Sequence, residues 1–167
     1  MPDLATPEDL ADFSGAPFSE TLVRSAGASL RNECGWHIAP EVTETVVVDS
    51  DGGTVLPLPS LRVVEVTSVR DVTGEAPRIL TGWRLSPAGL LYLGGGWPRG
   101  YSAVEVTLTH GYDTCPPELL GLIAERSQRR GNPLVSSESI GGRSVTLRDP
   151  MASVSPVLAR YRLTGMP

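Results

Sequence analysis

The chain is expected to fold as an α+β protein: a small helical bundle with an inserted antiparallel β-meander, then a C-terminal hairpin plus a short helix. Apolar residues recur at helical spacing from Phe18 to Cys34 and again after Pro117, as the buried face of a helix demands. Between those stretches, residues 41–110 are dense in Val and Thr and are interrupted by Gly- and Pro-containing turns, the pattern of short strands. Past Pro133 the sequence becomes polar and serine-rich around Gly141-Gly142, a two-residue hairpin signature. A single domain over residues 1–167 accommodates this, with helices in 6–35 and 115–131, the β insertion in 41–110, and the hairpin and tail in 134–167.

Thr6-Pro7-Glu8-Asp9 opens the first helix with a hydroxyl cap, a proline whose missing N–H costs nothing there, and acids at the positive dipole end. It should stop near Gly15. A second helix starts at Ser19 and ends at Gly35, with Phe18, Leu22, Val23, Ala26, Leu30 and Cys34 on its inner face. Ser25, Gly27, Ala28 and Ser29 keep its other faces small enough for a neighbouring helix to approach closely.

Strands are expected at 42–49, ended by the turn Asp49-Ser50-Asp51-Gly52-Gly53, and at 54–58, where Pro57 and Pro59 require an edge or a strand end. Residues 61–72 form the next strand. Residues 79–85 and 90–93 then read as a hairpin around Ser86-Pro87-Ala88-Gly89. In 102–109 the alternation is regular: Val104, Val106 and Leu108 face one way, Glu105, Thr107 and Thr109 the other. Helix returns at Pro117-Glu118, with Leu119, Leu120, Ile123, Ala124 and Ser127 inward. Arg126, Arg129 and Arg130 sit at its negative end, and Gly131-Asn132-Pro133 stops it. Residues 134–140 and 143–147 flank the Gly141-Gly142 turn, and a last helix starts at Ser155-Pro156 with Val157, Leu158 and Tyr161.

Composition excludes several chemistries. All 14 basic residues are arginine, so a lysine Schiff base or a P-loop lysine is ruled out. A net charge of −5 and a pI near 5.0 do not suit tight, sequence-independent DNA binding, which needs cations to neutralise phosphates. No apolar run reaches the roughly 20 residues of a membrane span. The N-terminus lacks the basic-then-apolar order of a secretory signal, so folding in a cytoplasm and no membrane contact are expected.

Cys34-x-x-His37 precedes the β region and His110-x4-Cys115 follows it. If the meander returned to its start, these four would approach one another as in a Cys2His2 zinc site. The spacing is not that of a zinc finger, and small buried thiols beside a core imidazole are the simpler reading, so neither metal nor cofactor is expected. No Gly-x-Ser-x-Gly elbow occurs, and only two histidines are available as bases, so no catalytic residue is assigned. Glu44, Glu65 and Glu105 fit solvated strand positions. The stretch Gly94-Gly95-Gly96-Trp97-Pro98-Arg99-Gly100 lacks the Lys-Ser/Thr of a phosphate cradle and precedes a strand, which favours a mobile or subunit-contacting loop.

The ordered segments resemble the head-to-tail connector (adaptor) proteins of long-tailed bacteriophages, in the form common in phages of actinobacteria. The residues that carry the resemblance are Cys34-Gly35-Trp36-His37-Ile38-Ala39-Pro40, the Thr-rich strand at 43–48, Leu56-Pro57-Leu58-Pro59, and Val66-x-x-Val69. Trp83, Gly89-Leu90-Leu91, Thr109-His110-Gly111-Tyr112 and Pro117-Glu118-Leu119 continue it, and Glu138-Ser139-x-Gly141, Val145 and Leu158-x-x-Tyr161-Arg162 end it. Cys115 and the Pro- and Ser-rich stretch 149–155 depart from the pattern.

The resemblance implies a non-enzymatic structural subunit of the virion neck, made in the host cytoplasm. Such a subunit forms a homo-oligomeric ring of about twelve copies between the portal protein and the next neck protein, the stopper. DNA would pass through its channel without specific binding, and a twelvefold ring with roughly sixty excess negative charges fits that role. Portal docking is expected of Val157, Leu158, Tyr161 and Arg162. Contact with a neighbouring subunit or the next ring is expected of the hairpin residues Ser136, Glu138, Ile140, Gly141, Gly142, Arg143, Val145 and Leu147. A stopper or tail-terminator ring protein is the alternative of the same class; a small zinc-binding module or enzyme is the alternative of another.

Overall fold

The computed structural model describes residues 2–86, 88–131 and 156–163, together with the backbone of 139–140 and 143–144. These divide into two compact units. The described residues of Met1–Cys34 and Cys115–Arg162 form a helical unit, and Gly35–Thr114 with Leu163 form a sheet unit. The fold class is α+β, as the two periodicities of the sequence require.

The helical unit begins with a 3₁₀ turn, Glu8–Leu10, where the sequence suggests a longer helix. Thr6 and Asp9 cap one another: the Thr6 N–H donates to Asp9 Oδ2 at 2.7 Å, and the Asp9 N–H to Thr6 Oγ1 at 3.4 Å. The bonds that follow, Phe13 N–H to Leu10 O and Ala16 N–H to Phe13 O, close tight three-residue steps, and Gly15 then takes φ +92°. The segment therefore winds as successive turns instead of an α-helix. Leu10, fully buried, anchors it.

Helix α1 spans Glu20–Cys34 and is capped by Ser19, whose Oγ accepts from the Leu22 N–H at 3.4 Å. Val23, Ala26, Gly27, Leu30 and Cys34 are buried, and Leu22 is half-buried. A Cβ on Gly27 would meet Leu4 Cβ at 3.1 Å, so the small-residue face receives the N-terminal segment. Helix α2, Pro117–Gly131, buries Leu119, Ile123, Ala124 and Ser127, and α3, Pro156–Tyr161, buries Leu158. A polar seam joins α1 to α2. Both terminal guanidinium nitrogens of Arg126 reach the Glu33 carboxylate, Nη2 at 2.9 Å, and Arg130 Nη1 donates to Ser25 Oγ at 2.6 Å.

In the sheet unit, β1 (Val42–Ser50), β2 (Val55–Pro57), β3 (Val63–Asp71), β4 (Arg78–Ile79), β5 (Arg84–Ser86), β6 (Leu90–Tyr92) and β7 (Gly100–His110) form two antiparallel sheets. The larger runs β1-β7-β3-β4 and the smaller β2-β6-β5. Sequence neighbours are therefore not always sheet neighbours: the long, regularly alternating β7 pairs on both sides, with β1 and with β3. Pro57 limits β2 to a short strand outside the main sheet. The stretch 79–85 is split between sheets, Ile79 pairing with Arg70 in one and Arg84 with Tyr92 in the other, with Gly82 at φ +81° between them.

Val104, Val106 and Leu108 of β7 lie in the core with Val63, Val66 and Val69 of β3, and with Leu56, Leu58, Leu91 and Trp97. Valines three apart would alternate faces on a regular strand. Bulges between Val63 and Glu65 and between Val66 and Ser68 bring all three to the buried side. On the opposite face, hydroxyl pairs Thr43–Thr109 at 2.8 Å and Thr45–Thr107 at 2.9 Å tie β1 to β7. Trp97 is buried, and its indole N–H donates to Thr54 O at 3.2 Å, so the glycine-rich loop is pinned to the turn after β1. Strands β8 (Ser139–Ile140) and β9 (Arg143–Ser144) pair antiparallel, Ile140 with Arg143, at the place the Gly141-Gly142 signature predicts.

Candidate assembly surfaces

The four candidate docking residues lie on or directly after α3, and they are not equivalent. Leu158 is buried at 4% exposure and belongs to the core of the helical unit. The Tyr161 hydroxyl donates to Glu118 Oε2 at 3.3 Å, and Arg160 Nη1 lies 3.4 Å from Glu118 Oε1, which fastens α3 to the start of α2. Val157 is half-buried and Arg162 is exposed. Two of the four thus hold the helix in place, while Val157 and Arg162 present surface.

Of the hairpin candidates, Ile140 and Arg143 are described through their backbone pairing. Ser136, Glu138, Gly141, Gly142, Val145 and Leu147 lie outside the described residues.

The four soft ligands fall in different units. Cys34 and Cys115 are free, buried thiols of the helical unit, and burial pushes them up to about 11 and about 12 respectively. His37 and His110 belong to the sheet unit, with ring centroids 5.7 Å apart. His37 Nε2–H donates to Pro40 O and His110 Nε2–H to Glu44 Oε1 at 3.0 Å. Among the described residues, no group of three or more His, Cys, Asp or Glu side chains could hold a metal ion. Nor is any helix among them long and apolar enough to cross a membrane.

Glu44 is exposed, as expected, and has a partner the sequence does not announce. It stands opposite Leu108, on the same face as Val46 and Val48, and serves the buried His110. Glu105 is half-buried and pairs with Arg70 at 3.2 Å on the opposite face. The arginines at the end of α2 are engaged within the chain: Arg126 with Glu33, Arg129 with Glu125, and Arg130 with Ser25.

Two features bearing on assembly carry no motif. One is the long outer edge of β1, which among the described residues pairs only with β7. The other is an open cavity of about 390 Å³ beside β3 and β4, lined by Thr67, Ser68, Val69, Ile79, Leu80 and Trp83 among others. A legible signal existed for the first: residues 42–50 contain no proline and no basic residue, which commonly guard an edge.

No protein-family model matches the chain, and no curated protein matches it. Solved structures do. A chain in the neck of an empty gene transfer agent (GTA) particle, computed with C6 symmetry, superimposes with a TM-score of 0.61 at 18% identity, over 98% of this chain and 92% of that one. A chain in the neck of the native particle, computed with C12 symmetry, gives 0.55 at 21%, covering 88% and 82%. A chain from the virion of the native particle gives 0.58 at 19%, covering 96% and 88%. The chain thus shares, over nearly its whole length, the fold of neck and virion proteins of a phage-like particle.

Proposed function

We propose that the chain is a non-enzymatic structural subunit of the neck of a tailed phage or phage-like particle, of the connector type found in long-tailed phages of actinobacteria. It assembles as a ring that joins the portal to the tail and continues the DNA channel, with a stopper protein as its next neighbour. The observation that carries this reading is the fold match to a neck chain over 98% of one chain and 92% of the other, which takes in both the helical and the sheet unit. The sixfold and twelvefold symmetries belong to those particles, and they support a closed ring here. A net charge of −5 agrees with a channel that lets DNA slide. In this reading Val157 and Arg162, the surface-presenting members of the α3 set, contact the portal, and the 136–147 hairpin contacts a neighbouring subunit or ring.

Particles purified from the producing strain test the proposal. The chain should be found in them by mass spectrometry, at a copy number near that of the portal. Deleting its gene should yield packaged heads without tails. Absence from the particles, or normal tailed particles after deletion, overturns the proposal.

A further inference from the structure

We infer that successive copies join head to tail through their four-stranded sheets, the open edge of β1 on one copy entering the groove beside β3 and β4 on the next. This rests on the ring reading above and names the contact that closes it.

The edge of β1 is unusually clear. It is nine residues long and, among the described residues, pairs on one side only, so alternate N–H and C=O groups point outward along its length. Its two carboxylates do not guard that edge, because each is tied back to β7. Glu44 accepts from His110 at 3.0 Å, and Asp49 Oδ1 accepts from the Ser102 N–H at 2.6 Å. Val47, mid-strand, is 52% exposed.

The opposite edge of the same sheet is a recess. β4 covers Arg70 and Asp71 of β3, the Leu80 N–H after it donates to Val69 O at 2.8 Å, and no other strand among the described residues pairs with the earlier part of that edge. The cavity of about 390 Å³ opens there, and Ile79 on its rim is 72% exposed.

Charge and strand direction select this partner. No arginine lies between Arg31 and Arg62, whereas β1 and its flanks carry Glu41, Glu44, Asp49 and Asp51. Arg78 stands on β4 beside the groove; it holds the buried Asp71 at 2.6 Å, yet its side chain is 78% exposed and open to a further acid. Antiparallel pairing of β1 with a second β1 would instead bring the flanking acids Glu41 and Asp51 toward one another, and like charges destabilise cross-strand neighbours. β1 and β3 both run antiparallel to β7 and therefore parallel to each other, and β4 runs opposite to them. Rotation by about 30° between successive copies of a twelvefold ring preserves those senses, so β1 meets β3 in parallel and β4 in antiparallel register. Two different edges of one sheet supply the two unlike patches that a closing head-to-tail interface requires.

Cysteines introduced at both ends of the contact test it in assembled particles. With Val47→Cys and Ile79→Cys in one chain, a short bis-maleimide should give a ladder of covalent dimers, trimers and larger species. Each single variant should give none, and Cys34 and Cys115 are buried and stay silent. A double variant present at the neck but without a ladder overturns the edge contact and leaves the neck reading intact. A wild-type chain absent from particles overturns both. Amide exchange on the unmodified chain gives a second measure: residues 42–50 should exchange at least about tenfold more slowly in the particle than in the free chain. Equal rates overturn the contact.

Discussion

Asp71 shows how the sheet unit holds its short fourth strand, and it lends itself to a quantitative test. The side chain is 3% exposed, and its carboxylate accepts from Thr73 Oγ1 at 2.6 Å, the Thr73 N–H at 3.0 Å and Arg78 Nη2 at 2.6 Å. The threonine hydroxyl contributes most, its N–H next and Arg78 third. Together they outweigh burial and hold the carboxyl at about 2, against an ordinary 3.8. That difference corresponds to about 2 kcal/mol of folding stability. Because the folded-state value is depressed, the contribution is fully present above pH 4 or so and disappears as the pH falls toward about 2. Asp71→Asn keeps the shape and one acceptor but removes the charge. Urea unfolding followed by tryptophan fluorescence, with Trp83 and Trp97 both in this unit, should show a loss of about 2 kcal/mol at pH 7 that shrinks toward zero near pH 2. Arg78→Ala should cost less than about 1 kcal/mol, since its guanidinium is mostly in water and screened. A deficit that does not change with pH, or an Arg78→Ala cost equal to that of Asp71→Asn, would refute the reasoning.

Gly89 sits at φ +74°, and a Cβ there would lie 2.2 Å from Ser60 O, so Gly89→Ala should cost more than about 3 kcal/mol in the same assay. Gly74→Ala, whose nearest neighbour would be 3.9 Å away, is the near-neutral control. Burial raises both thiols, so maleimide at neutral pH should label neither cysteine in the native chain and both in urea, read by intact mass. Leu158→Ala should lower stability by about 2–5 kcal/mol, whereas Arg162→Ala should stay within about 0.5 kcal/mol and still weaken co-purification with the portal. An unchanged portal yield for Arg162→Ala would remove that residue from the docking surface.

The elements were legible where periodicity and punctuation agreed. The inner stripe of α2 is read off directly, and β7 keeps the alternation of Val104, Val106 and Leu108. What was hidden depended on pairing across long sequence separations. Nothing local says that β7 returns between β1 and β3, or that Glu44 lies opposite Leu108 and serves His110. The triplet Val63, Val66 and Val69 even argues against a regular strand, and only the two bulges make sense of it. Thr6-Pro7-Glu8-Asp9 does form its reciprocal cap, but propagation fails before Gly15 because the segment follows i to i+3 bonds. For the candidate surfaces, the sequence marks α3 but cannot separate Leu158, which faces the core, from Arg162, which does not.

The arrangement of charge bears on what a ring of such subunits would present. The arginine cluster at the end of α2 looks like a phosphate-binding patch in sequence, yet each member is engaged within the chain. Arg126 and Arg129 hold carboxylates, and Arg130 holds a serine hydroxyl. Arg70, Arg78 and Arg160 likewise neutralise Glu105, Asp71 and Glu118. With those cations matched to local acids, the net −5 is set by acids outside these pairs, among them Glu41, Asp49 and Asp51 around β1. Acids at the ends of β1 disfavour its pairing with a second β1, and acids outside the ion pairs leave the outer field negative, which in a ring would repel phosphate.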